Sequence, residues 1–342
     1  MTKLKYLLLI FCLFLFCINA MARITIFMIG DSTMANKPTD NDNPERGWGQ
    51  MLQSLLDPEF VYVENHAMNG RSSKSFIDEG RWNKVLERIR PGDYVFIQFG
   101  HNDEKKSTHI HTVPGGSFDD NLRKFVAETR SRGGIPVLFN SIVRRNFRNN
   151  PNAVTEDDDF GKIFTGSKKV KDGMILIDTH GDYLKSPKMV AEETNTFFID
   201  MNDISHRLVE NLGPEDSKQL FCWIPKGTCK ACPEGREDNT HLNVYGARLL
   251  SKLTMSVIAD KISALEPFVR DNDFVVSADG SGDFLTLAEA VKTVNGMVVP
   301  KERPLRLLLR KGIYNDGELG FNVPVHVSVE NGVEFNYNIK TK

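Results

Sequence analysis

Apolar and polar positions alternate in blocks along most of the chain. An apolar, β-branched run at 24–29 stops at Gly30-Asp31-Ser32. Similar runs recur at 60–64, 94–99, 136–139 and 197–199, each of strand length. Between them, helix-period patterns cover 49–56, 81–89, 119–132, 187–193 and 203–212, and a longer one runs from 244 to 265. Asp203 is placed to cap its helix, Gly133-Gly134 stops the helix before Ile135, and Pro91-Gly92 breaks the chain before Tyr94. This alternation predicts an α/β domain, a parallel sheet with helices on both faces. Ser32 then lies at the carboxyl end of a strand, where open α/β sheets place their chemistry.

The pattern changes at both ends. Lys3 and Lys5 precede an almost wholly apolar run at 7–18, and Ala20-Met21-Ala22 supplies a small-x-small cleavage pattern. Residues 1–22 are therefore expected to be a signal peptide, with export to the periplasm or beyond and a mature start near Arg23. The run is short for a membrane span, so no stable span is expected after leader cleavage. Phe16 before Cys17 argues against a lipoprotein. The strand–helix pattern occupies 23–265, 266–273 reads as a linker, and 274–342 is a smaller segment. That segment has a strand from Phe274, a glycine-rich turn, a helix pattern at 286–294, and strand-like runs at 305–309 and 325–329. Its length is marginal for an independent domain.

Composition adds exclusions. The 342 residues are 40% hydrophobic and 26% charged, with a formal net charge of -2. That is ordinary globular usage and implies no attraction to nucleic acid. Beyond the leader the cysteines are Cys222, Cys229 and Cys232. Three thiols are too few for a four-thiolate zinc site. In an oxidising compartment two of them can pair, which would restrain the loop leading to Asp238.

Four blocks carry candidate chemistry. The serine of Gly30-Asp31-Ser32 is a nucleophile only with a base and an oxyanion site; alone it reads as a helix cap. Asn69-Gly70-Arg71-Ser72 follows the second strand, and Gly70 can turn its N–H toward a crevice. Gly100-His101-Asn102-Asp103 ends the third strand, and the Asn102 amide can donate to an oxyanion. Asp238-Asn239-Thr240-His241 precedes the last helix, with a spacing that lets a carboxylate orient an imidazole within one turn. Each block has an ordinary reading as a turn or cap. Three of them share one expected sheet edge, and the fourth precedes the closing helix.

This order, Gly-Asp-Ser, Gly, Gly-x-Asn-Asp and Asp-x-x-His, resembles the SGNH (GDSL-type) hydrolases. Within them the chain is similar to the rhamnogalacturonan acetylesterases, also at Gly47-Trp48-Gly49, Arg144-Arg145 and Asp178-Thr179-His180-Gly181-Asp182. The resemblance covers about 23–265. It implies a three-layer αβα sandwich with a five-stranded parallel, flavodoxin-like sheet, and no metal or organic cofactor. It implies Ser32 as nucleophile, His241 as general base and then acid, and Asp238 as its orienter. The oxyanion hole it implies is the Ser32 N–H, the Gly70 N–H and the Asn102 amide. Arg71, Arg144 and Arg145 are candidates to touch the carboxylates of a pectic chain, against an ordinary reading as surface ion pairs. His109-Ile110-His111 reads as a solvated loop rather than a metal pair, and Asp178/His180 as a turn. Asp200 is an alternative orienter.

The segment 273–290, with Arg310-Lys311-Gly312-Ile313-Tyr314, looks like the opening of a pectin methylesterase, a parallel β-helix. The positions that carry catalysis in that family have no counterpart here, so no methylesterase activity is expected and a short β-helix-like fragment is. The expected function is an exported serine esterase removing acetyl groups from pectic polysaccharide or oligosaccharide, with rhamnogalacturonan as the expected chain. The rivals are another carbohydrate esterase or lipase of the same superfamily, a non-catalytic pectin-binding protein, and a pectin methylesterase.

Overall fold

Five strands form the central sheet: β1 (Ile24–Gly30), β2 (Val61–Asn65), β3 (Tyr94–Gln98), β4 (Ile135–Phe139) and β5 (Phe197–Ile199). All pairings are parallel, in the order β2-β1-β3-β4-β5. The computed structural model describes residues 23–149, 173–279, 282–295, 299, 301, 304–315, 319–335 and 339–340, so the expected leader lies outside the described residues. The five expected strands are all present.

The apolar runs of these strands have no polar alternation because both sheet faces are covered. On one face Ile26, Met28, Phe96 and Phe139 pack with α1 (Trp48–Met51), α6 (Met201–Asp216) and α7 (Val244–Lys261). On the other, Phe27, Ile29, Val95, Ile97 and Leu138 pack with α2 (Ser73–Asp78), α3 (Arg81–Leu86), α4 (Ser117–Ser131) and α5 (Lys185–Thr194). The result is the expected three-layer αβα sandwich. Each large apolar side chain taken out of water contributes about 1.5–3 kcal/mol, which sets the rigidity of the scaffold under the site.

The strand order reverses between β1 and β3: β2 lies to one side, β4 and β5 to the other. Helices leave opposite faces there, and their diverging starts open a crevice beyond the carboxyl ends of the strands. Ser32 follows β1 and Asn102 follows β3, so both stand on that crevice.

Local details differ from expectation. Asp200, not Asp203, caps α6: its carboxylate accepts the Asp203 N–H at 3.0 Å. β5 ends at Ile199 and α6 begins at Met201, so the residue between them is the cap. Helix α2 has no apolar period long enough to read; the reciprocal bonds between Ser72 and Ser75 start it instead. The segment 266–273 is pinned to the sheet domain rather than free. Phe268 stacks on Phe60 with ring centroids 5.3 Å apart, and the Arg270 N–H donates to the Leu55 carbonyl at 2.8 Å.

The C-terminal segment is folded and docked. β8 (Phe274–Val276), β9 (Leu305–Leu309) and β10 (Val325–Val329) form a three-stranded parallel sheet. Helix α8 (Leu287–Asn295) covers it, closing a separate core of Phe274, Val276, Leu287, Val291, Leu307 and Leu309. Arg248 of α7 crosses to it, facing the buried Asp283 at 3.4 Å and donating to the Asn272 carbonyl at 3.0 Å. These are extra parallel strands on the sandwich, too few to be clearly a β-helix. No helix among the described residues is long and apolar enough to cross a membrane.

Candidate active site

The turn after β1 is built to hold Ser32 in place. Asp31 is fully buried, and its Oδ1 accepts the Thr33 N–H at 2.9 Å and the Thr33 hydroxyl at 2.8 Å. Burial pushes the Asp31 carboxyl up, and the bonds from Thr33 oppose that shift. From below, the Trp48 N–H donates to the Thr33 carbonyl at 2.9 Å, and the Trp48 indole donates to Gln98 of β3 at 2.8 Å. A Cβ on Gly47 would lie 2.2 Å from the Ala35 carbonyl oxygen. The block Gly47-Trp48-Gly49 is therefore a clamp under the nucleophile turn, and its first position has no room for a side chain.

The base arrives on a hairpin of β6 (Phe221–Ile224) and β7 (Arg236–Leu242). Phe221 pairs with Leu242 and Trp223 with Glu237, so Cys222 alone faces Asp238 to His241. The Asp–His pair sits on a bulge in an extended strand, not in a helical turn as its spacing suggested. A bulge leaves residues unpaired and re-aims their side chains. Asp238 shapes it: its Oδ1 accepts the N–H groups of Thr240 at 2.7 Å and His241 at 2.8 Å.

Three side chains are then in line. The Ser32 hydroxyl donates to His241 Nε2 at 2.9 Å, and His241 Nδ1–H donates to Asp238 Oδ2 at 2.8 Å. Burial alone would raise the Asp238 carboxyl. The bonds from the His241 ring, the His241 N–H and the Thr240 N–H outweigh burial and hold it well below the usual carboxylate range. Asp238 is thus anionic wherever His241 works as a base.

The expected oxyanion donors Gly70 and Asn102 lie on two other loops, after β2 and β3. Gly70 has φ +75°, a left-handed conformation that glycine adopts without strain. The N–H groups of Ser32 and Gly70 have no protein acceptor among the described residues. One Asn102 Nδ2–H donates to the Arg71 carbonyl at 3.0 Å, leaving the other for a ligand. Asp103 locks these loops together, accepting from Ser73 N at 3.0 Å, Gly100 N at 3.1 Å and Thr112 Oγ1 at 3.0 Å. Asn102→Ala is expected to lower kcat by about 10²–10³-fold with little change in KM, read by steady-state kinetics on p-nitrophenyl acetate.

The three arginines part ways. Arg71 is in a surface ion pair: its Nε donates to Glu79 at 3.0 Å, and it is not among the residues that line the cavity beside Ser32. Arg145 is buried and structural. Its Nε donates to Ser217 Oγ at 3.0 Å, its Nη1 to Asn239 Oδ1 at 2.9 Å, and its Nη2 to the Pro214 carbonyl, so it holds the bulge from behind. Its place in the wall of the crevice does not free its guanidinium for substrate. Arg144 lines the same cavity as Arg145 and is the more exposed of the two. It faces this cavity, of about 520 Å³, beside Ser32, His101, Asn102 and His241. Glu104 Oε1 at 2.7 Å and Thr179 Oγ1 at 3.0 Å orient it. His180, fully buried, bonds Glu104 Oε2 at 2.8 Å and completes that support.

Other expectations resolve as follows. Asp178 accepts the His180 N–H at 2.9 Å, the expected turn-fixing role. Asp200 caps α6 and accepts the Asn140 amide at 2.9 Å, so it is not the orienter. His109 bonds Ser107 on an exposed loop. The three cysteines are free thiols. Cys222 is held in the hairpin core, its thiol donating to the Leu242 carbonyl at 3.4 Å. Cys229 donates to the Asp42 carbonyl at 3.3 Å. Burial pushes the Cys222 thiol up to about 12, which makes it inert rather than redox-active.

Residues without a sequence signal complete the site. The Lys105 ammonium donates to Asn102 Oδ1 at 2.8 Å and so fixes which way that amide faces. Arg236 reaches Asp238 Oδ2 with one nitrogen and Glu45 Oε2, at 2.5 Å, with another.

A serine aligned with a histidine and an aspartate at the carboxyl edge of an αβα sheet defines a serine hydrolase. Residues 28–249 match the GDSL-like lipase/acylhydrolase family. The chain belongs to that family and is a carboxylic ester hydrolase. It is 35% identical over 257 residues to the rhamnogalacturonan acetylesterase RhgT of Bacillus subtilis, covering 75% of this chain and 96% of the relative. It is 30% identical over 236 residues to the probable rhamnogalacturonan acetylesterase YesY of the same organism, covering 69% and 92%. The crystal structure of Bacillus subtilis YxiM superposes with a TM-score of 0.54 at 25% identity. That match covers 71% of this chain, which spans 58% of the YxiM chain.

Proposed function

We propose that this enzyme removes acetyl groups from a pectic polysaccharide, with rhamnogalacturonan as its substrate, after export. Ser32 Oγ attacks the acetyl carbonyl while its proton passes to His241 Nε2. The negative charge that develops on the carbonyl oxygen is met by the Ser32 and Gly70 N–H groups and the Asn102 amide. The intermediate collapses, the C–O bond to the sugar breaks, and His241 gives its proton to the sugar oxygen. Water then attacks the acetyl group on Ser32, again losing its proton to His241. Acetate leaves and the Ser32 hydroxyl is restored.

The observation that carries the substrate is the sign of charge at the cavity. Lys105, Arg144, Arg145, Arg148 and Arg236 line it, against the carboxylates of Glu237 and Asp238. A cationic, open wall beside the nucleophile suits an anionic sugar chain better than an acyl tail, which favours an apolar pocket. The names of the two Bacillus relatives support the same reading, and so does the resemblance of the C-terminal segment to the start of a pectin methylesterase. The apolar run at 7–18 supports export.

Acetate and methanol release from acetylated, methylated pectin separates the possibilities. Acetate without methanol is expected. Methanol release, or activity only on long-chain acyl esters, would sink the reading. Arg144→Gln is expected to raise KM for the polysaccharide about tenfold, a gap that narrows in high salt, while p-nitrophenyl acetate hydrolysis changes little.

A further inference from the structure

A chain of alternating charges joins the two halves of the site. Asn69, next to Gly70, accepts from Lys37 Nζ at 2.6 Å. Lys37 Nζ lies 2.8 Å from Glu45 Oε1, and Glu45 Oε2 accepts from Arg236 at 2.5 Å. Arg236 in turn donates to Asp238 Oδ2, the same oxygen that holds His241 Nδ1. Its Nη2 also lies 3.4 Å from that ring nitrogen. Lys37 is only 5% exposed, so the ammonium is spent on this chain rather than on solvent. The links come from the turn after β1, the loop before α1, the turn after β2, and β7.

We propose that Lys37, Glu45 and Arg236 are positioning residues that hold the Gly70 donor in register with the Asp238–His241 pair. In this arrangement Arg236 sets how much of the Asp238 charge is left to support a protonated His241. The inference depends on Ser32 and His241 acting as an esterase pair, and not on which polysaccharide is the substrate.

Two features argue against simple surface pairing. Glu45 is bound on both oxygens by different cations, and its carboxyl is lowered: burial would raise it, and Lys37 and Arg236 more than offset that. Arg236 is strengthened as a cation by the same neighbours, because Glu45 and Asp238 outweigh its partial burial. Glu45 is thus held as the anion and Arg236 as the cation, and the pair acts as a fixed field on the imidazole.

That field has a sign that substitutions reverse. The other titratable or charged groups around His241 are Asp31 and His101 from the strand ends, with Lys105, Arg144, Arg145, Arg148 and Glu237 lining the same cavity. All stay in place in the test. Arg236→Met removes a positive charge beside the imidazole, so protonation becomes easier. The acid limb of kcat/KM then moves to higher pH, by on the order of 0.5–1 unit. Glu45→Gln removes a negative charge and also frees Arg236 to act unopposed, so the acid limb moves to lower pH. Arg236→Lys keeps the charge but cannot span both carboxylates. It is expected to keep the wild-type limb while kcat falls.

The experiment is the pH dependence of kcat/KM for p-nitrophenyl acetate in these three variants. Nuclear magnetic resonance titration of the His241 ring in a Ser32→Ala background reads the same shift when turnover is slow. Limbs displaced in opposite directions for Arg236→Met and Glu45→Gln, with Arg236→Lys unmoved, are the predicted result. Unmoved limbs in both charge-removing variants, or shifts of the same sign, overturn the proposal. Because the small ester tests only the catalytic pair, failure here is distinct from failure on pectin.

Discussion

Ser32→Ala lowers kcat on any acetyl ester by about 10⁴–10⁶-fold and leaves the protein folded. The loss is large because, among the described residues, the hydroxyl is the group placed both to attack and to give its proton to His241 Nε2, 2.9 Å away. The residual rate comes from the oxyanion donors, which the substitution leaves in place. The fold survives because, among the described residues, the oxygen bonds His241 alone. The turn is held by Asp31, Thr33 and the Trp48 N–H, and the backbone N–H of residue 32 remains. Single-turnover kinetics and the thermal midpoint check this together. A loss of activity matched by a loss of folding would give Ser32 a structural role instead.

His241→Ala produces a fall of similar size, about 10⁴–10⁶-fold in kcat, with a different signature. The wild-type rate drops as pH falls and the imidazole takes up a proton, since only the neutral ring accepts from Ser32. That acid limb disappears in the variant. Asp238 cannot replace it as the source of the limb. Its carboxyl lies well below the usual carboxylate range, so it stays ionised throughout the pH window in which the imidazole changes. The double variant with Ser32→Ala is expected to be no slower than either single one, because the two residues work as a unit. A pH–rate profile of both single variants, with the double variant beside them, is the check.

Much of the scaffold was legible for a local reason. Strands such as 94–98 are buried on both faces, so they stand out as apolar runs. Ser32, Asn102 and His241 sit at the ends of those runs, where small polar blocks interrupt them. What escaped was long-range or set by side-chain orientation. Arg236 is held over Asp238 by Glu45, a residue 191 positions away. Lys105 is three residues from Asn102, and its role comes from the side-chain orientation of that amide, which the sequence does not show. Arg71 and Arg145 looked like substrate contacts because sequence does not reveal the partners Glu79 and Ser217 that occupy them. The Asp238–His241 spacing pointed to the right pair by way of the wrong geometry. A spacing of three suits a helical turn and also a bulge, and only the pairing of β6 with β7 decides between them. Helix α2 was invisible because six residues fixed by a serine cap carry too short a period to read.

The fold also explains why these distant pieces meet. The sheet reverses its order between β1 and β3, which puts the nucleophile turn and the Asn102 loop side by side. The hairpin then lowers His241 onto them, and Arg145 braces the bulge from the far side. Catalysis on this scaffold therefore depends on loops that are short, buried at their roots and tied by charged bonds.

Rapid acid quench of the enzyme during turnover of p-nitrophenyl acetate, followed by peptide mass spectrometry, tests the central claim most directly. One acetyl group on the peptide bearing Ser32, assigned to that hydroxyl and absent from Ser32→Ala, is the predicted result. Acetyl on a different residue, with Ser32 unmodified in enzyme that is releasing acetate, would contradict it.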